Sequence, residues 1–481
     1  MPSYMSVSVP PGSPSGRSAL STELPTRSQR SSELAERAFE RTSGAPLVQG
    51  NSVRVLKDAR ENYPAWLAAI ERARRTVFFE NYIIEEDEVG RRFAEALASK
   101  AREGVKVLLL RDWVGSRSTA SSSFWRGLEA AGVQLRVFNP FRLTSPFGWV
   151  SRDHRKMLSV DGDVSFVSGL CVSQRWDTWR DTGVEVRGPA VACVERAFAQ
   201  VWGTTGAALD EALLTPLEDI PRAGDVALRV VASEPESTDL FRLDQMIAAA
   251  AQRTLWLTDA YFVGFAPYVQ ALRAAAQAGV DVRLLVPSTS DLPLLSPLSR
   301  AGYRPLLEAG VRIYEWNGPM IHAKSATADG RWARVGSTNL NLASFIGNYE
   351  LDVAIEDEGV ARALEADYLE DLSHSTEILL TPARRLRAER PRSRRPHSSQ
   401  RHRPRVGVYR FARAVRTAAA SGTRVLGAVE TGIERALALT LVGLAAVGIL
   451  WPRVLAWPLS VAALWFAFAL ALRHYRRKRR R

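Results

Sequence analysis

Three blocks of this chain occur twice, in the same order, and that internal repeat limits the folds open to it. ARRTVFFENYII at 73–84 corresponds to AQRTLWLTDAYF at 251–262, with Tyr82 and Tyr261 offset by one residue. LASKAREGVKVLLL at 97–110 corresponds to LRAAAQAGVDVRLLV at 272–286, and LEAAGVQLRVFN at 128–139 to LEAGVRIYEWN at 307–317. In the second pair a helical run ends on glycine (Gly104, Gly279) and leads into a continuous apolar run of strand length, and the third pair reads the same way. Strands alternating with helices predict an α/β chain built from two similar halves, each a largely parallel sheet wrapped by helices.

Each half then delivers the same polar signature. The first is HRKMLSVD, with His154, Lys156 and Asp161; the second is HAKSATAD, with His322, Lys324 and Asp329. The chain holds 6 histidines, and most of its 64 basic side chains are arginine. With so few histidines and lysines, roughly 0.07 His-x-Lys pairs are expected by chance. A lone His-x-Lys is ordinarily a solvated strand face; two at matching places in a repeat point to one composite site.

Charge divides the chain differently. Residues 381–481 carry 23 basic and 3 acidic side chains, a net of +20, which leaves residues 1–380 with a net of −7. The basic excess therefore belongs to the tail. A mildly acidic body argues against nucleic acid as a partner, whereas a basic tail suits an anionic membrane surface. Residues 1–45, rich in Ser, Pro, Thr and Arg, read as a disordered leader, without the charged segment and apolar run of a cleaved signal. Two lobes are expected at 46–215 and 216–380. A basic linker with a candidate interfacial helix follows at 381–434, then an apolar helical hairpin at 435–473 and a polybasic tail at 474–481. The two apolar runs of the hairpin, 436–451 and 454–472, would reach about 24 and 28 Å as helices, against a hydrocarbon core of about 30 Å. Charge on both flanks places both ends on the cytoplasmic side of a membrane that the hairpin spans or re-enters. Cys171 and Cys193 have neither disulfide nor metal-site spacing and read as buried small side chains.

Read as strands, both segments put the histidine on one face with the lysine two residues later. The Asp-Gly pairs that follow (161–162 and 329–330) read as tight turns, so Asp161 and Asp329 are expected to be structural members of the motif. A second strand leads to a segment of small residues, VSGLCVS or VGSTNLN. Imidazoles, ammoniums and small polar residues from both halves suit a phosphodiester. Lysines neutralise the nonbridging oxygens, one histidine attacks phosphorus and the other protonates the leaving oxygen.

HRKMLSVDGDVSFVSG and HAKSATADGRWARVGSTN resemble the paired HxKxxxxD…GSxN signatures of the phospholipase D superfamily. Within it, FFENYIIEEDEVG, KAREGVKVLLLRDWVGS, WRDTGVEVRGPAV, LLVPSTSDLP and SFIGNYELDVAI resemble the bacterial cardiolipin synthases over roughly residues 50–380. The resemblance implies two pseudo-symmetric α/β lobes sharing one central cleft. It also implies a phosphohistidine intermediate, no metal or other cofactor, and transfer of a phosphatidyl group, typically from phosphatidylglycerol to an alcohol. It makes His154 the nucleophile and His322 the acid and base, although the reverse fits the sequence as well. It assigns Lys156, Lys324, Ser337, Asn339, Ser168 and Gly169 to the phosphate. Glu350 is expected to orient His322, and Asp181 to orient His154. The departures lie mostly in the first half: Cys171 stands where the family has asparagine, and Gly183 follows WRDT where it has histidine. In the second half Ala260 replaces a proline.

Overall fold

The computed structural model describes residues 39–141, 151–235, 237–292 and 295–380, with the short strand Arg424–Leu426 and Trp465. In the first half, β1 (Val48–Lys57) leads into α1 (Asp58–Arg72). Then come β2 (Thr76–Asn81), α2 (Glu88–Arg102), β3 (Lys106–Asp112), α3 (Ser122–Ala130) and β4 (Gln134–Phe138). The half closes with β5 (Lys156–Val160), β6 (Val164–Ser168), β7 (Thr182–Arg187) and α4 (Ala190–Thr204). The second half runs through the same series: β8 (Val226–Ser233), α5 (Asp239–Ala250), β9 (Thr254–Thr258), α6 (Ala266–Gln277) and β10 (Asp281–Pro287). After α7 (Leu295–Ala301) and α8 (Tyr303–Glu308) come β11 (Arg312–Trp316), β12 (Ser325–Ala328), β13 (Trp332–Gly336) and α9 (Leu342–Ile346). β14 (Glu350–Glu356), α10 (Glu358–Ser373) and β15 (Ser375–Leu380) complete it, and β16 (Arg424–Leu426) lies parallel to β15.

The strands form one sheet in the order β16-β15-β11-β10-β9-β12-β13-β14-β8-β1-β7-β6-β5-β2-β3-β4. Read outward from the β1–β8 junction, the two halves have the same strand order. In each, three strands are parallel (β2-β3-β4 and β9-β10-β11), because a helix crosses over between them. Apart from β15–β16, the other pairings are antiparallel. The sheet is therefore mixed rather than largely parallel. The reason is local: the Asp-Gly turns are too short for a crossover, so β5–β6 and β12–β13 have to be hairpins. Asp161 and Gly162 take φ of 57° and 72°, and Asp329 and Gly330 54° and 67°, the left-handed backbone that such turns need.

α2 illustrates how sequence sets an element. Asp87 caps it by accepting from the Gly90 N–H at 2.9 Å, Lys100 and Arg102 sit in the last turn, and Val89, Phe93 and Leu97 form the buried stripe. The two halves share a core. Phe78, Val184 and Phe198 of the first pack in one cluster with Leu228, Val335 and Val353 of the second. Arg155 is fully buried at this seam, donating to the carbonyls of Ala197, Ser233 and Glu350 at 2.7, 3.1 and 3.1 Å.

The end of the expected leader joins the body. Residues 39–43 are helical, and Ala45 is buried with its carbonyl accepting from Arg229 at 2.9 Å. Residues 1–38 lie outside the described residues. So does the segment expected to hold the linker, hairpin and tail, apart from Arg424–Leu426 and Trp465. Among the described residues no helix is long and apolar enough to cross a membrane. Cys171 is buried as expected, but Cys193, on α4, is only half-buried and lines a surface cavity.

Candidate active site

His154 and His322 do not lie in strands. They lie two and three residues before one, in segments bridged to the other half: Asp153 pairs with Tyr349, and Arg180 with Ile321. The His154 N–H donates to the Tyr349 carbonyl at 2.9 Å, and the His322 N–H to that of Arg180 at 2.6 Å. Each histidine is thus held beside the carboxylate opening the other half's strand. His154 Nδ1 lies 2.9 Å from Glu350 Oε2, and His322 Nδ1 lies 2.8 Å from Asp181 Oδ2. The expected pairing, Glu350 with His322 and Asp181 with His154, is exchanged. The backbone bridges between halves cause the exchange.

Both carboxylates are fully buried and fixed by further donors. Glu350 accepts from Ser337 Oγ at 2.6 Å and from Asn348 Nδ2 at 3.3 Å; Asp181 accepts from Trp176 Nε1 at 2.9 Å and from the Thr182 N–H at 2.8 Å. Burial alone would raise the pKa of both, but the facing histidines and lysines outweigh it and hold them below the usual range. Burial pulls His154 down to about 4 against the pull of Glu350. Burial and the Lys324 ammonium pull His322 down to about 3. At neutral pH both rings are neutral, with the proton on Nδ1 directed at a carboxylate.

Lys156 and Lys324 are each 1% exposed and hydrogen-bonded to the carbonyl of their own histidine. Lys324 Nζ also lies 2.9 Å from His322 Nδ1 and 3.0 Å from its Nε2, whereas no hydrogen bond from a lysine to the His154 ring is found among the described residues. Burial lowers Lys324 to about 8 despite nearby Asp181.

The two histidines open onto one cavity of about 570 Å³ that Lys156 also lines. Aromatic rings wall it. Tyr82 meets His154 edge-on with centroids 4.9 Å apart, and Tyr261, Trp176 and Trp179 surround His322 at 5.6, 5.2 and 5.6 Å. Asn339 lines the cavity with its Oδ1 unpartnered, and Cys171 takes the matching place in the first half.

Ser168, Gly169 and Ser337 do not line the cavity. The Ser168 hydroxyl accepts from the Leu170 N–H at 3.1 Å, and that of Ser337 is spent on Glu350. Gly169 matches Ser337, both donating their N–H to the strand carrying the carboxylate, but a Cβ at Gly169 would fall 2.3 Å from Asp181 Oδ1. A side chain at Gly183 would meet Asn62 Oδ1 at 2.2 Å, which closes the place where the family has histidine. Asp161 and Asp329 lie away from the cavity. Asp161 accepts the N–H groups of Arg74, Arg75 and Thr76 at 2.7–2.8 Å, and Asp329 those of Gln252, Arg253 and Thr254 at 2.7–2.9 Å. They fasten each hairpin to the start of a central strand.

Four kinds of cavity residue escaped the sequence reading: the tryptophans 176 and 179, the two tyrosines, Arg152 and Asp291. The tyrosines were visible as repeated positions, and WDTW flanks the RDT that carries Asp181. Arg152 and Asp291 left no signal, being single charges on loops. The cavity can hold an anion against the basic groups that line it, Lys156, Arg152 and Arg175, with Lys324 buried behind the His322 ring and a histidine on either side.

The sequence matches the family described as "Cardiolipin synthase, PLD-like domain" over residues 66–202 and 243–372. It is 35% identical over 357 residues to cardiolipin synthase A of Pseudomonas aeruginosa, covering 71% of this chain and 72% of that one. It is 32% identical over 358 residues to the cardiolipin synthase of Alkalihalophilus pseudofirmus, covering 72% and 71%. The crystal structure of phosphatidylserine synthase from Haemophilus influenzae shares the fold, with a TM-score of 0.54 at 14% identity over 71% of this chain and 91% of that one. The family match takes in both halves and both His-x-Lys segments, and this chain belongs to the cardiolipin synthase group of the phospholipase D-like proteins.

Proposed function

We propose that this protein is a cardiolipin synthase-like phosphatidyltransferase acting on phosphatidylglycerol at a bacterial membrane. The observation that carries the reading is the pair of buried, neutral imidazoles facing one cavity, each with a carboxylate on Nδ1 and a lysine beside it. The reading has His154 Nε2 attack phosphorus, since no lysine is hydrogen-bonded to that ring among the described residues, while Lys324 lies 2.9 and 3.0 Å from the two nitrogens of His322. The phosphodiester anion sits between Lys156 and Lys324. By engaging Lys324 it removes one of the charges that keep His322 neutral, so His322 gains a proton as substrate binds. The P–O bond to the headgroup breaks, His322 gives its proton to the departing glycerol oxygen, and phosphatidyl-His154 remains. A hydroxyl of a second phosphatidylglycerol then attacks phosphorus, His322 takes its proton and the P–N bond breaks. Asn339 supports the phosphate; Glu350 and Asp181 keep the tautomers. No metal or other cofactor enters this scheme. The apolar runs near the C-terminus and the basic residues around them support membrane attachment with the catalytic body on the cytoplasmic face of the cell membrane.

The test is the full-length protein in detergent with phosphatidylglycerol and no added divalent metal. Cardiolipin and glycerol are the expected products. Release of phosphatidic acid alone would overturn the transferase reading in favour of hydrolysis.

A further inference from the structure

The cavity is built to take an anion, yet a carboxylate lines it. Asp291 is the only acidic residue among the described residues lining the cavity, since Asp181 and Glu350 sit behind the histidines. It is exposed, and its Oδ1 accepts from the Tyr261 hydroxyl at 2.8 Å, with Ser290 Oγ at 3.4 Å. No hydrogen bond to Oδ2 is found among the described residues. Tyr261 in turn stands edge-on to His322. The His154 side has the opposite polarity: Tyr82 is edge-on to the ring there, and its hydroxyl accepts from Arg152 at 3.0 Å. The two repeated tyrosines thus carry a cation on one side of the cavity and an anion on the other.

A negative charge beside an anionic lipid is unfavourable unless it meets donors. On the His322 side, donors are what the reaction supplies. The headgroup leaves as an alcohol past the group that protonates it, and an in-line second displacement brings the acceptor alcohol through the same place. We propose that Asp291 is the alcohol-recognising residue of the cavity: its free carboxylate oxygen accepts from the hydroxyls of a polyol headgroup, leaving or entering beside His322. Tyr261 holds the other oxygen and so aims the carboxylate. The alternative role for Asp291 is to tether its loop through Tyr261. This inference rests on the transferase reading with His322 as the proton carrier, and it names the acceptor class as a polyol.

The test is a competition read as a product ratio. Full-length protein in detergent with phosphatidylglycerol receives equal concentrations of deuterated glycerol and 1-propanol, which lacks a second hydroxyl. Mass spectrometry gives the ratio of labelled phosphatidylglycerol to phosphatidylpropanol. The wild type should favour glycerol, and Asp291→Ala should lower the ratio about tenfold or more, as for loss of a hydrogen bond to a charged group. Tyr261→Phe keeps the carboxylate and should lower it much less. A ratio unchanged in Asp291→Ala overturns the inference, as does a wild type with no preference, or an equal fall in Tyr261→Phe, which would assign the effect to the tether. Asp291→Asn keeps the shape and is read the same way if Asp291→Ala forms no product. Absence of product from both variants would place Asp291 in the chemistry and overturn a role confined to recognition. A wild type that transfers to neither alcohol and yields only phosphatidic acid would instead sink the transferase reading itself.

Discussion

Lys324 lies against the His322 ring, and in the proposed scheme its charge is felt by the phosphate as well. Its burial favours the neutral amine and brings its pKa down to about 8. A lysine is charged below its pKa, so the ammonium is present at pH 7 and is lost as the pH climbs through about 8. KM for the anionic lipid should therefore be flat from pH 6 to 7. Above about 8 it should climb, towards about tenfold per pH unit, as the fraction of charged Lys324 falls. Initial rates in mixed micelles between pH 6 and 10 give the profile, and a KM that stays constant from pH 7 to 9.5 would remove Lys324 from phosphate binding. This residue could be singled out from sequence because lysine is scarce here and the motif occurs twice. Asp181 and Glu350 could be named but not paired, since the pairing depends on backbone bridges between segments 141 and 196 residues apart along the chain. Asp291 and Arg152 matter only through what surrounds them, and nothing local in the chain marks them.

At the scale of elements, the conserved geometry of the two hairpins explains the third member of each motif. Asp161 binds three successive backbone N–H groups at the start of β2 from a position with φ of 57°. Asp161→Ala leaves those donors to water and puts a Cβ-bearing residue without local hydrogen bonding in left-handed backbone. A loss of about 2–3 kcal/mol is expected, read as a lower urea midpoint with turnover per folded molecule retained. Loss of turnover at full stability would place Asp161 in the chemistry instead. The same logic has a pH sign at Asp329. Burial would raise this carboxyl, but the N–H groups of Thr254, Gln252 and Arg253 outweigh it and hold it below its ordinary value. Its stabilising contribution is present above about pH 4, the unfolded value, and fades as the pH falls through the lower folded one. The hairpins were legible in Asp-Gly. The mixed sheet was implied by them too, since two strands joined by so short a turn cannot be parallel, but the helix–strand repeat drew attention to the parallel strands alone.

Across the whole molecule, the exchange of carboxylates makes each half incomplete. His154 belongs to the first half and takes its orientation from Glu350 of the second; His322 belongs to the second and takes its orientation from Asp181 of the first. The shared core and buried Arg155 keep these crossings in register. A substitution in one half should therefore disable the step performed by the other half's histidine. Glu350→Gln offers a donor where His154 Nδ1 needs an acceptor, so it should slow attack on phosphorus; Asp181→Asn should likewise slow protonation of the leaving group. With phosphatidylglycerol both variants should lose on the order of 10²–10⁴ in kcat, as when a histidine loses its tautomer-fixing carboxylate. A phosphatidyl donor with p-nitrophenol as headgroup needs no acid to depart. On that donor, the burst of p-nitrophenol should recover to within about tenfold of wild type in Asp181→Asn and stay low in Glu350→Gln. Recovery in Glu350→Gln alone would make His322 the nucleophile. Equal recovery in both would mean that the carboxylates hold the fold of the site rather than divide its chemistry. The crossing is thus what allows two near-identical motifs to take unequal roles: each histidine's environment is written in the half that does not contain it, so the halves can diverge around a common His-x-Lys frame.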